Sequence, residues 1–342
     1  MKEIENTRSK SIFKKIFIKL CRLFGYEIID QNTFSVPTQN KTLNESLSKQ
    51  GIKSINLPLG EVQVTRKVKS LDILIRSCAS VGMLTQSKQR IFEKEKIEYT
   101  LRSINSIIRS SKFAKELMPN LNINLTVIDH NSGEQNLKKI QNLLDNSNLN
   151  HNLINLDLSE FDSRIKKTNA KNEKVTPNQL SNMSNIYKSL ELSKKLDDLI
   201  YFVEDDYIHE LNSISEMILT YERIASQISN ELILCPTDYP YLYTKTENTN
   251  IFLGEKSHWR KINETLCTFL TSKQIVEKHW AKLMSMCEFE HYPFESPLHE
   301  IYKEELCLSP IPSIAIHCTN INSIYGLSPN KDWKKIWEDN KI

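Results

Sequence analysis

Leu199-Ile200-Tyr201-Phe202-Val203-Glu204-Asp205-Asp206-Tyr207-Ile208-His209 is the stretch on which the reading of the fold turns. Five apolar residues rich in β-branched and aromatic types run directly into three carboxylates. A short apolar run without a polar face predicts a buried strand, here with an acidic tip. In α/β sheets ligands collect in the crevice beyond the carboxyl ends of the strands, so the tip lies where a site is expected. Adjacent carboxylates repel one another unless a cation or protons neutralise them. Oxygen ligands shared with substrate phosphates suit Mg²⁺ or Mn²⁺. A solvated acidic turn after a core strand would read the same in isolation.

Working upstream, Leu71 to Ala79 predicts a strand, and the polar stretch to Glu95 a loop. Ile97, Leu101, Ile104, Ile107 and Ile108 then recur at helical spacing, and Ile123 to Ile128 forms a second apolar strand. Strand, helix and strand in this order predict a parallel βαβ unit. The second strand ends in Asp129-His130-Asn131-Ser132-Gly133, a combination equally at home in an ordinary turn. A helix over Leu137 to Leu144, a third strand over Leu153 to Leu158 and a helix from about Leu180 to Lys195 lead into the acidic strand.

Downstream, Ile214 to Ile228 predicts a helix and Leu232 to Cys235 a strand entering a loop that holds Asp238 with Tyr239, Tyr241 and Tyr243. Such tyrosines offer stacking and hydrogen-bonding surface to a sugar and are also routine packing residues. His258-Trp259-Arg260 leads to Glu264 through Leu270, then to a helix over Ser272 to Met286. Glu295 stands just before Ser296-Pro297, with Ser296 the expected N-cap and Pro297 the first helical residue. Ser309 to His317 reads as a strand ending in histidine.

From about Leu71 to about His317 this order resembles the GT-A glycosyltransferases, with Glu204-Asp205-Asp206 as the family 2-like Glu-Asp-Asp form of the Asp-x-Asp motif. The resemblance implies an α/β fold, a Rossmann-like, mainly parallel sheet flanked by helices. It implies transfer of a sugar from a nucleotide-sugar donor to a glycan or lipid-linked acceptor, in cell-surface polysaccharide synthesis. Asp206 would contact Mn²⁺ or Mg²⁺ directly, with Glu204 and Asp205 as second ligand or ribose contact and His317 completing the metal shell. Arg76, Asp129, Asn131 and Asn182 would line the donor side. In an inverting enzyme Glu295 would be the base that deprotonates the acceptor hydroxyl, with Asp238 and Glu300 as rivals; inversion against retention stays open. Two other readings use the same segments. One is a degenerate, non-catalytic GT-A domain that binds glycan or membrane. The other is a sugar nucleotidyltransferase, which a glycine-rich first loop would favour, whereas Ser80 to Lys94 holds only Gly82.

The chain has 342 residues, 39% apolar and 25% charged, which fits a globular protein. Its 7 glycines leave no Gly-x-Gly-x-x-Gly or Walker A loop. Its 45 basic and 42 acidic residues, a net +3, give no case for nucleic acid. Seven scattered cysteines without a Cys-x-x-Cys pair suit small buried side chains in a reducing compartment. No run of about 18 apolar residues predicts a spanning helix. Residues 10 to 24 instead predict a basic amphipathic helix. Ile12, Phe13, Ile16, Phe17, Leu20, Leu23 and Phe24 lie on one arc, with Lys14, Lys15, Lys19 and Arg22 largely opposite. Such a helix suits an anionic membrane surface or packing on the protein's own core. The expected organisation is an amphipathic arm (1–30), a linker (31–69), the GT-A domain (70–330) and a C-terminal tail (331–342). The expected location is cytoplasmic, with a peripheral seat on the inner face of the membrane.

Overall fold

The computed structural model describes residues 12–26, 53–56, 60–80, 90–244 and 249–342; most of the expected linker therefore lies outside the described residues. The chain divides into two compact units, residues 1–45 with 55–60, and residues 46–54 with 61–342. The small unit contains α1 (Ile12–Leu23). Gly25, at φ +81°, closes this helix, because its N–H reaches the Arg22 carbonyl while that of Tyr26 reaches Cys21. Ile12, Phe13, Ile16, Phe17, Leu20 and Leu23 are each more than half exposed.

Two short strands, β1 (Lys53–Asn56) and β2 (Gly60–Gln63), precede the large unit's main elements. These begin with β3 (Ser70–Ser77), α2 (Lys96–Leu117), β4 (Asn122–Asp129), α3 (Glu134–Asp145), β5 (Asn150–Asn155) and α4 (Pro177–Ser193). There follow β6 (Leu199–Glu204), β7 (Tyr207–His209), α5 (Ser213–Ile228), β8 (Ile233–Leu234), β9 (Ile251–Leu253), β10 (His258–Lys261) and β11 (Phe269–Ser272). The series ends with α6 (Lys273–Lys278), α7 (Trp280–Glu288), α8 (Ser296–Tyr302), β12 (Cys307–Ile311), β13 (Ala315–His317) and α9 (Trp333–Asp339).

Among the described residues nine strands form the central sheet, in the order β5-β4-β3-β6-β11-β8-β12-β10-β9. The pairings leave β11 and β10 running against the other seven, so the sheet is mostly parallel and flanked by helices, the expected α/β class. β6 lies inside it and is buried on both faces. Leu199, Tyr201 and Val203 enter one core with Ile104, Met217 and Tyr221 of α2 and α5, whereas Ile200 and Phe202 enter another with Ile186, Leu283 and Ile301 of α4, α7 and α8. Strand alternation sends successive side chains to opposite faces, which is why an unbroken apolar run is needed here. α4 starts where it does because the Thr176 hydroxyl accepts from the Gln179 N–H and Pro177 occupies the first turn.

Several expected elements change form. The Ser309 to His317 strand is two, β12 in the central sheet and β13 paired with β7. The Ser272 to Met286 helix begins at Lys273, after β11, and breaks at His279 into α6 and α7. The third strand ends at Asn155, leaving Leu158 in a short 3₁₀ turn. Ser296 is the first residue of α8, and Glu295 takes the cap position. Residues expected as a C-terminal tail form α9. Its Trp337 stacks on Phe92, with ring centroids 4.0 Å apart, and packs with Tyr99, Ile208 and Ile316.

Candidate active site

Register builds the site. Pairing Ser77 with Asp129 and Arg76 with Glu204 brings the carboxyl ends of β4, β3 and β6 to one edge. β7 then leaves the sheet to pair with β13, setting His317 opposite Tyr207, immediately after Asp206. The Cys318 N–H donates to the Asp206 carbonyl at 2.8 Å and closes this ribbon onto the tip.

Each carboxylate of the tip meets a different cation. Glu204 lies 3.2 Å from Arg76, whose other amino group donates to Asn182 at 2.8 Å, and Glu204 also accepts from the Thr268 hydroxyl. Asp205 is buried, paired with Lys96, and accepts from the Thr100 hydroxyl at 2.7 Å and the Cys78 N–H at 3.2 Å. Asp206 accepts from Arg90 at 3.0 Å, and its other oxygen stands 3.6 Å from His317 Nε2. Burial alone would raise the Asp206 carboxyl, but His317, Lys96 and Arg90 outweigh it and hold it well below the usual range. For His317 burial works downwards, and Asp206 with Glu204 overcomes it and raises the imidazole. A carbonyl can only accept, so His317 Nδ1 carries a proton and donates to Tyr325 at 2.6 Å, which aims Nε2 at Asp206. The imidazole also stacks on Tyr207, with centroids 4.6 Å apart.

The remaining donor-side residues differ in what they leave free. Asp129 is fully buried beside Ser77, accepting from the Ser77 and Ser132 hydroxyls and the Ser132 N–H; burial raises its carboxyl against these hydrogen bonds. It shapes the turn. Asn131 follows in the left-handed region at φ +62°, with its side chain exposed.

Of the base candidates, Glu295 lies within electrostatic reach of Glu204, Arg76 and His317. Burial, reinforced by Glu204 and opposed by backbone hydrogen bonding, Arg76 and His317, pushes its carboxyl up to about 7. Asp238 is buried and doubly engaged, paired with Arg260 on one oxygen and accepting from the Tyr243 hydroxyl on the other. Glu300 is exposed and pairs with Lys303 one helical turn on. The structure thus brings Arg76, Asn182, Glu204, Asp205, Asp206, His317 and Glu295 around one tip. Arg90, Lys96, Thr100 and Thr268 join them without having been singled out from sequence. The signal available was charge: Lys88, Arg90, Lys94 and Lys96 cluster in sequence at the end of the first loop, as Glu204, Asp205 and Asp206 cluster at the acidic tip.

Among the described residues there is no group of three or more His, Cys, Asp or Glu side chains that could hold a metal ion. The fit of a divalent cation therefore rests on two groups. Asp206 offers one oxygen with no hydrogen of its own, and His317 turns a nitrogen toward it with the opposite nitrogen anchored on a carbonyl, as ligating imidazoles usually are. A magnesium-like ion held by one or two protein groups takes its other ligands from water and phosphate, and this pair fits that arrangement.

No protein-family profile matches the chain, and no curated protein matches it in sequence. Among solved structures, S. aureus TarS 1–349 aligns at 10% identity and a TM-score of 0.36, over 70% of this chain and 57% of that one. UDP-glucose pyrophosphorylase complexed with UDP-glucose aligns at 7% identity and a TM-score of 0.38, over 76% of this chain and 96% of that one. The galactosyltransferase LgtC, in complex with donor and acceptor sugar analogues, aligns at 10% identity and 0.35, over 79% of this chain and 93% of that one.

Proposed function

We propose that the chain is a glycosyltransferase that moves a sugar from a nucleotide-sugar donor to a hydroxyl of a glycan or lipid-linked acceptor. The observation that carries this reading is the convergence, at the carboxyl end of β6, of an acidic tip held by cations with a separate carboxyl, Glu295, whose proton affinity sits near neutrality. Asp206 and His317, with Glu204 nearby, would hold Mn²⁺ or Mg²⁺, which when bound supplies charge neutralisation for a departing diphosphate. Arg76, Asn182 and Asp205 order the donor side, with Asp129 and Asn131 shaping its rim. Glu295 takes the acceptor proton, and a carboxyl near 7 is matched to that task. Asp238 is the weaker candidate, since Arg260 and Tyr243 hold both of its oxygens.

No helix among the described residues is long and apolar enough to cross a membrane. The exposed apolar face of α1 supports a peripheral seat on an anionic, cytoplasmic membrane surface. The test of the reading is a thermal-shift and hydrolysis panel of UDP-, GDP-, CMP- and dTDP-sugars with Mn²⁺. One nucleotide class should stabilise the protein and be slowly hydrolysed. Stabilisation without any hydrolysis or transfer would instead indicate a donor-binding module, and silence across the panel would end the reading.

A further inference from the structure

Among the described residues each carboxylate of the acidic tip is matched by one basic side chain, Glu204 by Arg76, Asp205 by Lys96 and Asp206 by Arg90, with His317 also facing Asp206. The three pairs are not equivalent. Arg76 is almost fully buried and fixed from behind by Asn182. Lys96 begins α2 and meets Asp205 on the buried side, where Thr100 and the Cys78 N–H complete the carboxylate's partners. Among the described residues Arg90 holds Asp206 by one oxygen only, makes a 3.3 Å contact to the Cys318 carbonyl, and lies over the Tyr99 ring, 5.2 Å from its centroid. The other Asp206 oxygen makes only a longer ion pair with His317 Nε2, at 3.6 Å, with Nδ1 committed to Tyr325. One carboxylate thus presents a ligand atom on one side and a bound guanidinium on the other. A divalent cation on Asp206 would share that carboxylate with Arg90, and like charges so close repel strongly where water is scarce.

We propose that Arg90 is the resident counter-ion of Asp206 and leaves it when a divalent cation binds, so that the cation binds weakly alone and well only together with a diphosphate. The planar guanidinium matches phosphate oxygens in pairs, so a diphosphate arriving with the cation receives the released Arg90. This couples metal to donor through one side chain. The inference rests on reading the tip as a nucleotide-sugar site, but its test does not need the donor's identity.

The test is titration of the full chain with Mn²⁺, read by the electron paramagnetic resonance signal of free Mn²⁺, with and without inorganic pyrophosphate. Arg90→Gln should bind Mn²⁺ alone about tenfold more tightly than the unaltered protein, the size of one screened charge interaction. Pyrophosphate should tighten Mn²⁺ binding in the unaltered protein beyond what complexation in solution explains, and should do so less in Arg90→Gln. The tighter site should vanish in Arg90→Gln/Asp206→Asn. Equal or weaker Mn²⁺ affinity in Arg90→Gln, or a gain that persists in the double variant, overturns the proposal. The unaltered chain gives a second measurement that misfolding cannot obscure: Mn²⁺ affinity indifferent to pyrophosphate overturns it too. Failure of the transferase reading shows separately, as a silent nucleotide-sugar panel alongside an intact Mn²⁺ response.

Discussion

On the parallel side of the sheet, around β3 and β6, Glu204, Asp205 and Asp206 each face a basic side chain, and Asp206 is held charged despite its burial. On the side where antiparallel strands enter, Asp238 is sealed by Arg260, whereas Glu295 shows no ion-pair partner among the described residues and sits near neutral proton affinity. The same residue type is thus fixed as an anion in one place and poised to exchange a proton in another. Geometry decides which: parallel pairing stacks basic residues of β3 and α2 against the tip, while Glu295 arrives at the start of a short helix with only a distant share of those charges. Carboxyls fixed as anions and a carboxyl near neutral proton affinity can lie within electrostatic reach of one another only if their charges are set separately.

The largest effect expected from breaking this contrast is at the fixed anion. Asp206→Asn keeps the shape and removes the charge, so donor hydrolysis should fall to background and Mn²⁺-dependent nucleotide binding should disappear, with circular dichroism unchanged. Retained Mn²⁺-dependent binding would show that the tip is not the cation's seat.

At the poised carboxyl, Glu295→Gln should lower transfer by about 10²- to 10⁴-fold while leaving donor binding intact. Because the carboxyl is raised, its basic form is present above about pH 7 and lost below. Transfer by the unaltered protein should therefore rise with pH through that range, and the rise should be missing from the residual rate of Glu295→Gln. A variant with near-normal turnover and an unchanged pH profile would remove Glu295 from the role and favour a retaining mechanism without a dedicated base.

Asp238→Ala sharpens the comparison from its third corner. Removing one partner of a buried pair leaves Arg260 uncompensated and should cost about 3–5 kcal/mol in denaturant unfolding, with turnover per folded molecule little changed. Loss of turnover at unchanged stability would instead make Asp238 the base. The smallest effect on the site is expected from Phe13→Ser/Phe17→Ser in α1. It should abolish sedimentation with anionic liposomes while donor hydrolysis stays as it was; unaltered sedimentation would defeat the membrane reading.

The apolar runs beginning near Leu71, Ile123 and Leu199 made β3, β4 and β6 legible: β6 is apolar up to its tip because both of its faces are buried, whereas β4 alternates buried Ile123, Leu125 and Val127 with half-buried Asn124 and Thr126. β11 was harder to read, since a four-residue strand inserted antiparallel between β6 and β8 has too few positions to show a period. α9 was missed for a related reason: it is seven residues long and is held by Trp337 rather than by a repeating face. The acidic tip announced itself by its density of charge. Its partners did not, because Arg90 and Lys96 are ordinary basic residues in a polar stretch until the fold carries them to Asp206 and Asp205.

The stack of Phe92 on Trp337 has a further consequence, for the order in which the molecule acquires its parts. Arg102 reaches the Trp337 carbonyl across 235 positions of sequence and Arg90 the Cys318 carbonyl across 228, against the 128 positions that separate Arg76 from Glu204 in the β3–β6 pairing. Closures of that length come late in folding, since chain entropy must be overcome before the contact forms. A molecule that has assembled β3, β4 and β6 thus has its sheet before α9 docks, and hydrogen exchange around residues 90–95 should mature with α9 rather than with the strands beside it.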